Sequence, residues 1–80
     1  MAGRHLITIY SKPDCHLCQR AKEGLHRVQL RAQFSLEEVD VSQNSELLAR
    51  DGHNIPVILL DWKEIGRHFV RERKLLELLR

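Results

Sequence analysis

The run HLITIY, His5 to Tyr10, is apolar or β-branched at most positions, and beyond the turn signal SKPD the apolar spacing changes. A run of this length and composition, bounded by a turn, reads as a strand. Its near-continuous apolarity calls for a strand covered on both faces. From His16 onward Leu17, Ala21, Leu25, Val28 and Ala32 recur at spacings of four, four, three and four, which is one face of a helix. Gln19, Arg20, Lys22, Glu23 and Arg27 form its wet face, and Gly24 weakens it modestly. The switch from strand to helix therefore falls at Asp14–Cys15.

The rest of the chain continues the alternation. FSLEEVDV, Phe34 to Val41, reads as a second strand. Its alternation slips at Glu37-Glu38, which predicts a bulge there or a late strand start. Glu37, Glu38 and Asp40 read as edge-strand charges that discourage another chain from adding on, rather than as a metal cluster. SQNSELLAR offers Ser or Asn caps to a short helix that Gly52 ends in the left-handed conformation. NIPVILLD, Asn54 to Asp61, is a buried-strand run with Pro56 near its start, where a missing N–H does least damage. WKEIG fits a short return strand after a turn at Asp61 to Lys63, with Trp62 as a lid over the hairpin edge. The tail RERKLLELLR is helical, with Leu75, Leu76 and Leu79 turned inward. The predicted order is β-α-β-α-β-β-α, an α/β sandwich around one four-stranded mixed sheet. Its first two strands are parallel through a right-handed crossover.

Eighty residues make one domain, residues 1–80, with a single core. At 42% hydrophobic and 30% charged, the composition is that of a folded globular chain. No apolar run approaches the roughly 20 residues of a membrane span, so no membrane association is expected. The N-terminal segment lacks the apolar stretch of a secretory signal, which predicts a cytoplasmic protein. A net charge of +2, with Glu72 interrupting the cluster Arg67, His68, Arg71, Arg73 and Lys74 and Glu77 following it, describes a solvated helix face. Nucleic acid is not an expected partner: the basic residues form no continuous stripe, and there are four aromatic residues.

Both cysteines, Cys15 and Cys18, stand in PDCHLCQ with two residues between them. A cross-link stabilises mainly by closing a long loop, and this one closes almost none. In a reducing compartment such a pair is catalytic or metal-binding. Cys15 lies where strand meets helix, and the unpaired N–H groups and positive end of the helix dipole favour a thiolate there. Lys12 adds to that preference, Asp14 opposes it or caps the helix, and His16 supports the thiolate when protonated. Cys18 lies off the Leu17–Ala21–Leu25 stripe, about one turn beyond Cys15, close enough to attack a mixed disulfide on it.

LITIYSKPDCHLCQRAK followed by NIPVILLD and a hairpin resembles the thioredoxin-fold redox proteins, and among them the small glutaredoxin-like family whose members carry CHLC. The resemblance covers nearly the whole chain. It implies a glutaredoxin-type three-layer sandwich and a thiol–disulfide oxidoreductase. By this likeness Cys15 is the attacking thiol, Cys18 the resolving thiol, and the Ile55–Pro56 bond is cis. The backbone of Ile55 then lies free to pair with a bound peptide or glutathione. Tyr10 and Lys12 match positions beside glutathione in glutaredoxins. Tyr10, Lys12, His16, Ile55 and Pro56 are the expected substrate-binding residues.

One stretch departs from the family pattern. Glutaredoxins continue after the hairpin with a Gly-Gly pair and an acidic helix start that receives the γ-glutamyl end of glutathione. Here IGRHFVRER has one Gly66, then Arg67, and no Asp. The dithiol chemistry does not depend on that stretch, whereas recognition of glutathione does. The expectation is a monomeric electron carrier that needs no bound cofactor or metal. It acts on a disulfide-bearing protein or a glutathione mixed disulfide, and glutathione, another thiol or a reductase returns it to the dithiol. Metal or Fe–S binding is the runner-up: two cysteines fall short of four zinc ligands, and a cluster would need thiols from elsewhere. A redox-silent adaptor using the Pro56 face is the third reading.

Overall fold

A computed structural model describes residues 4–79. The strands and helices are β1 (His5–Ser11), α1 (His16–Gln29), β2 (Phe34–Asp40), α2 (Ser45–Asp51), β3 (Val57–Leu60), β4 (Lys63–Arg67) and α3 (Glu72–Leu78), with a 3₁₀ turn at Val41–Gln43 before α2. Arg80, the last residue of the expected terminal helix, lies outside the described residues. The sheet order is β2-β1-β3-β4. β1 pairs parallel with β2, and antiparallel with β3, which pairs antiparallel with β4. The apolar run that opens the sequence is thus one of the two central strands. Ile7 and Ile9 are fully buried on one face of β1 and Thr8 on the other.

The main core packs Ala21, Leu25 and Val28 of α1 and Leu75 of α3 onto Ile7, Ile9, Phe34 and Ile58. Leu76 and Leu79 pack at its margin. Arg27 and Glu72 tie the two helices together by an ion pair at 2.8 Å. A smaller cluster joins Cys18, Val41 and Ile55 to Tyr10, Cys15 and Leu47. Tyr10 alternates to the face opposite Ile9, so Leu47 brings α2 against the second side of the sheet.

Four local expectations are corrected. Cys18 lies on the buried stripe of α1 at 1% exposure, whereas Leu17 is 50% exposed. At 3.6 residues per turn, Leu17 and Cys18 stand about 50° to either side of the Ala21–Leu25–Val28 direction. The wheel leaves them equivalent; the Val41–Ile55 cluster on the Cys18 side separates them. Ala32 falls beyond the end of α1, its N–H donating to the Val28 carbonyl at 2.9 Å.

β2 has no bulge at Glu37-Glu38: its register with β1 runs unbroken from His5↔Phe34 to Ser11↔Asp40. Glu38 takes an apolar position on the α1 side because Ser11 donates to it at 2.8 Å and Lys22 at 3.0 Å. The irregularity lies instead in the β3–β4 pairing, where Ile58 faces Gly66 and Leu59 faces Glu64. Asn44 caps α2, accepting from the Leu47 N–H at 3.0 Å. Gly52 ends that helix with φ −57°, in the right-handed region. A Cβ there would run into the Leu48 carbonyl oxygen, so close approach rather than handedness calls for glycine.

The β3–β4 turn places Asp61 and Trp62 at φ 49° and 70°, the positive pair of a type I′ hairpin. Asp61 anchors this turn to the start of β1. It accepts from the Leu6 N–H at 2.8 Å and from His5 Nδ1 at 2.6 Å, while its own N–H donates to the Leu6 carbonyl at 2.8 Å. The bonds from the Leu6 N–H and His5 hold the Asp61 carboxyl below its ordinary range, the Leu6 amide contributing more. Trp62 is 61% exposed at this turn.

Candidate functional site

Cys15 and Cys18 are joined by a disulfide, with their Cα atoms 5.2 Å apart. β1 ends at Ser11, and the turn through Pro13 and Asp14 delivers the chain to the helix. Asp14 takes φ 61°, a left-handed conformation that Asp tolerates better than most residues. Cys15 is the N-cap of α1: its carbonyl accepts from the Gln19 N–H at 3.1 Å and its Sγ accepts from the Cys18 N–H at 3.2 Å. The cap position read for Asp14 therefore belongs to Cys15, whose sulfur takes one of the free amides at the helix start.

The two sulfurs differ in access. Cys15 is partly exposed, and Cys18 is sealed beneath Val41 and Ile55. An open cleft of about 460 Å³ lies against Cys15, lined by Lys12, Asp14, His16, Lys22, Glu38 and Asp40 among others. Its wall carries both signs of charge. Lys22 and Ser11 hold the Glu38 carboxyl below its ordinary range, the Lys22 hydrogen bond contributing most. Asp40 is committed to the next turn, accepting from the Ser42 N–H at 2.9 Å and its hydroxyl at 2.6 Å. No group of three His, Cys, Asp or Glu side chains arranged to hold a metal ion occurs among the described residues.

The expected substrate-binding residues divide into two groups around the disulfide. Lys12 and His16 are exposed on the cleft beside Cys15. Tyr10 and Ile55 pack in the apolar cluster with both cysteines. Pro56 follows Ile55 through a cis peptide bond, and its carbonyl accepts from the His68 N–H at 2.7 Å. Arg67 and Arg71 stand away from the cleft, lining a separate groove between β4 and α3. Sequence reasoning missed Ser11, Lys22 and Glu38 as cleft residues. The signal was present in the interrupted alternation at Glu37-Glu38, which marks a carboxylate with local partners.

The sequence matches the family model described as Glutaredoxin-like domain (DUF836) over residues 6–80. A glutaredoxin-like protein of Dictyostelium discoideum is 31% identical over 75 residues, covering 86% of this chain and 69% of that protein. Among solved structures, protein Ne2328 from Nitrosomonas europaea superposes with a TM-score of 0.85 at 22% identity, covering 100% of this chain and 96% of the other. An X. campestris protein gives 0.71 at 26% identity, with 91% and 93% covered. Chloroplastic thioredoxin z gives 0.75 at 17% identity, covering 98% of this chain and 77% of the thioredoxin, a likeness of fold alone. A thioredoxin fold with a Cys-X-X-Cys disulfide at the head of α1, matched along nearly all its length by this model, belongs to the glutaredoxin-like family.

Proposed function

We propose that the protein is a thiol–disulfide oxidoreductase in which Cys15 attacks and Cys18 resolves. The observation that carries this reading is the unequal access of the two sulfurs, Cys15 open to the cleft and Cys18 enclosed. A Cys15 thiolate attacks a substrate disulfide RS–SR′, forming Cys15–S–S–R and expelling R′S⁻. The Cys18 thiolate then attacks the Cys15 sulfur, expels RS⁻ and leaves the Cys15–Cys18 disulfide. The substrate has gained two electrons and the protein has lost them. A thiol reductant or a reductase restores the dithiol by the same exchange in reverse. The helix start supports the first step, because its free amides and dipole stabilise negative charge on the cap sulfur.

In this reading Lys12 and His16 meet the polar part of the substrate in the cleft. Tyr10 and the Ile55–Pro56 segment meet its backbone on the other side. Glutathione is one candidate reductant; the residues after β4 lack the Gly-Gly pair that glutaredoxins use for it, and Glu72, the acidic residue that opens α3, is already paired with Arg27. The protein works as a cytoplasmic monomer with no bound cofactor, on disulfide-bearing proteins or glutathione mixed disulfides, in electron transport.

The test is the Cys15–Cys18 reduction potential, equilibrated against defined glutathione mixtures and read by the mass of alkylated thiols. A balance point within roughly −270 to −180 mV supports a reversible carrier. A pair that forms no disulfide in any mixture, or thiols shielded from alkylation by a bound metal, sinks the mechanism.

A further inference from the structure

We infer that the groove between β4 and α3 binds a small anionic amphiphile, a single-chain carboxylate with its tail on the groove floor and its head at Arg71 and Lys74. The groove encloses about 360 Å³ and is floored by Ile58, Ile65, Leu75 and Leu78. The register shift between β3 and β4 sets Gly66 opposite Ile58, on the strand wall of the groove. A Cβ at Gly66 would meet only the Phe69 carbonyl oxygen, at 3.8 Å, and the backbone there is outside the left-handed region. Neither handedness nor crowding calls for glycine at this position; the missing side chain leaves the groove open.

The rim fixes the charge of the occupant. Arg67 is engaged by Glu64 on its own strand. Arg71 lies over the Phe69 ring, its guanidinium carbon 5.4 Å from the centroid. Among the described residues neither Arg71 nor Lys74 has an ion-pair partner. Phe69 is 55% exposed, so the rim offers an aromatic ring and two cations without carboxylate partners above an apolar floor. An apolar body satisfies the floor, and a carboxylate satisfies the guanidinium fork and the ammonium. The volume lies at the small end of ligand pockets, of roughly 300 to 1,000 Å³, which suits one short chain and not a two-chain lipid.

The test uses the whole chain, ¹⁵N-labelled, titrated with sodium decanoate and followed by amide shifts. Saturable shifts confined to the neighbourhood of Ile65, Gly66, Phe69, Leu75 and Leu78 are expected. Arg71→Gln with Lys74→Gln should weaken binding about tenfold, the combined worth of two exposed charge contacts. Gly66→Leu should abolish the response while leaving the remaining amide spectrum in place. Cys15→Ser should leave decanoate binding unchanged, which separates this site from the redox reading. Non-saturating shifts, shifts scattered over the surface, or an equal response to decyltrimethylammonium would overturn the proposal. So would capture by phosphatidylglycerol vesicles without any response to decanoate.

Discussion

The Ser11 hydroxyl donates to Glu38 Oε2 at 2.8 Å, joining the end of β1 to β2 at the edge of the cysteine cleft. Lys22 of α1 reaches the same oxygen at 3.0 Å, so one carboxylate fastens two strands and a helix. With about half the Glu38 side chain exposed, solvent screens this contact. Glu38→Gln should therefore cost about 1 kcal/mol or less, read as a shift in the urea midpoint. The folded carboxyl titrates below its unfolded value near 4.5. Its contribution is thus complete above about pH 4.5 and is lost as pH falls through the lower folded value. Asp61 and Glu72 are depressed in the same sense. Stability should decline on acidification below about pH 4.5, and the decline should be shallower in Glu38→Gln; identical slopes would remove Glu38 from this account.

Gly24 lies in the middle of α1, where it faces α3. A Cβ there would meet Val70 Cβ at 3.5 Å and Glu72 Oε2 at 3.6 Å, both ordinary contacts. Gly24→Ala should stabilise the fold by about 0.5–1 kcal/mol, since helix propensity favours Ala and nothing must move. A raised melting temperature is the expected result, and a lowered one would mean that α1 and α3 approach more closely than these distances allow.

Trp62 holds φ 70° in the Asp61–Trp62 turn with most of its indole in solvent. A left-handed conformation costs a non-glycine residue about 1–2 kcal/mol. Trp62→Gly should relieve that cost and stabilise the hairpin by about 1 kcal/mol, the favoured I′ turn having Gly at its second position. Differential scanning calorimetry of the two proteins decides the sign.

In the reduced protein the two thiols should differ sharply toward a soluble alkylating agent. Cys15, in the Cys18→Ser variant, should react at least about tenfold faster near pH 7 than Cys18 in Cys15→Ser. The ratio follows from the difference in exposure and from the cap position of Cys15. Equal rates measured by mass spectrometry would dissolve the proposed order of attack and resolution.

Leu25 is fully buried between α1 and the sheet. Leu25→Ala should lose about 2–5 kcal/mol, a large part of the stability of so small a domain. Chemical denaturation measures it directly.

The element order and the seat of the cysteines were legible because both rest on local periodicity. His5 to Tyr10 reads as a strand covered on both faces from its own residues, and Ala21, Leu25 and Val28 orient α1 without help. The choice between Leu17 and Cys18 was not legible. They are symmetric about the helix face, and the residues that decide between them, Val41 and Ile55, come from distant segments. β2 does lie at the sheet edge, as its charges suggest, but the bonds that hold Glu38 were not legible, because its partners Ser11 and Lys22 are 27 and 16 residues away. The groove beside α3 was not legible either. It depends on a register shift and on one absent side chain at Gly66, neither of which leaves a periodic trace.

The burial of Cys18 makes the thiol–disulfide equilibrium and the folding equilibrium two sides of one thermodynamic square. Breaking the bond leaves a sulfhydryl inside the cluster of Val41, Ile55 and Leu47, so the reduced and oxidised chains differ in what their interiors must accommodate. Whatever packing change favours one form in the folded chain moves the midpoint for electron exchange by the same free energy. Val41, which is fully buried and carries no charge, thereby becomes a determinant of redox poise. Tuning such a domain toward reductant or oxidant is then a problem in side-chain volume as much as in electrostatics.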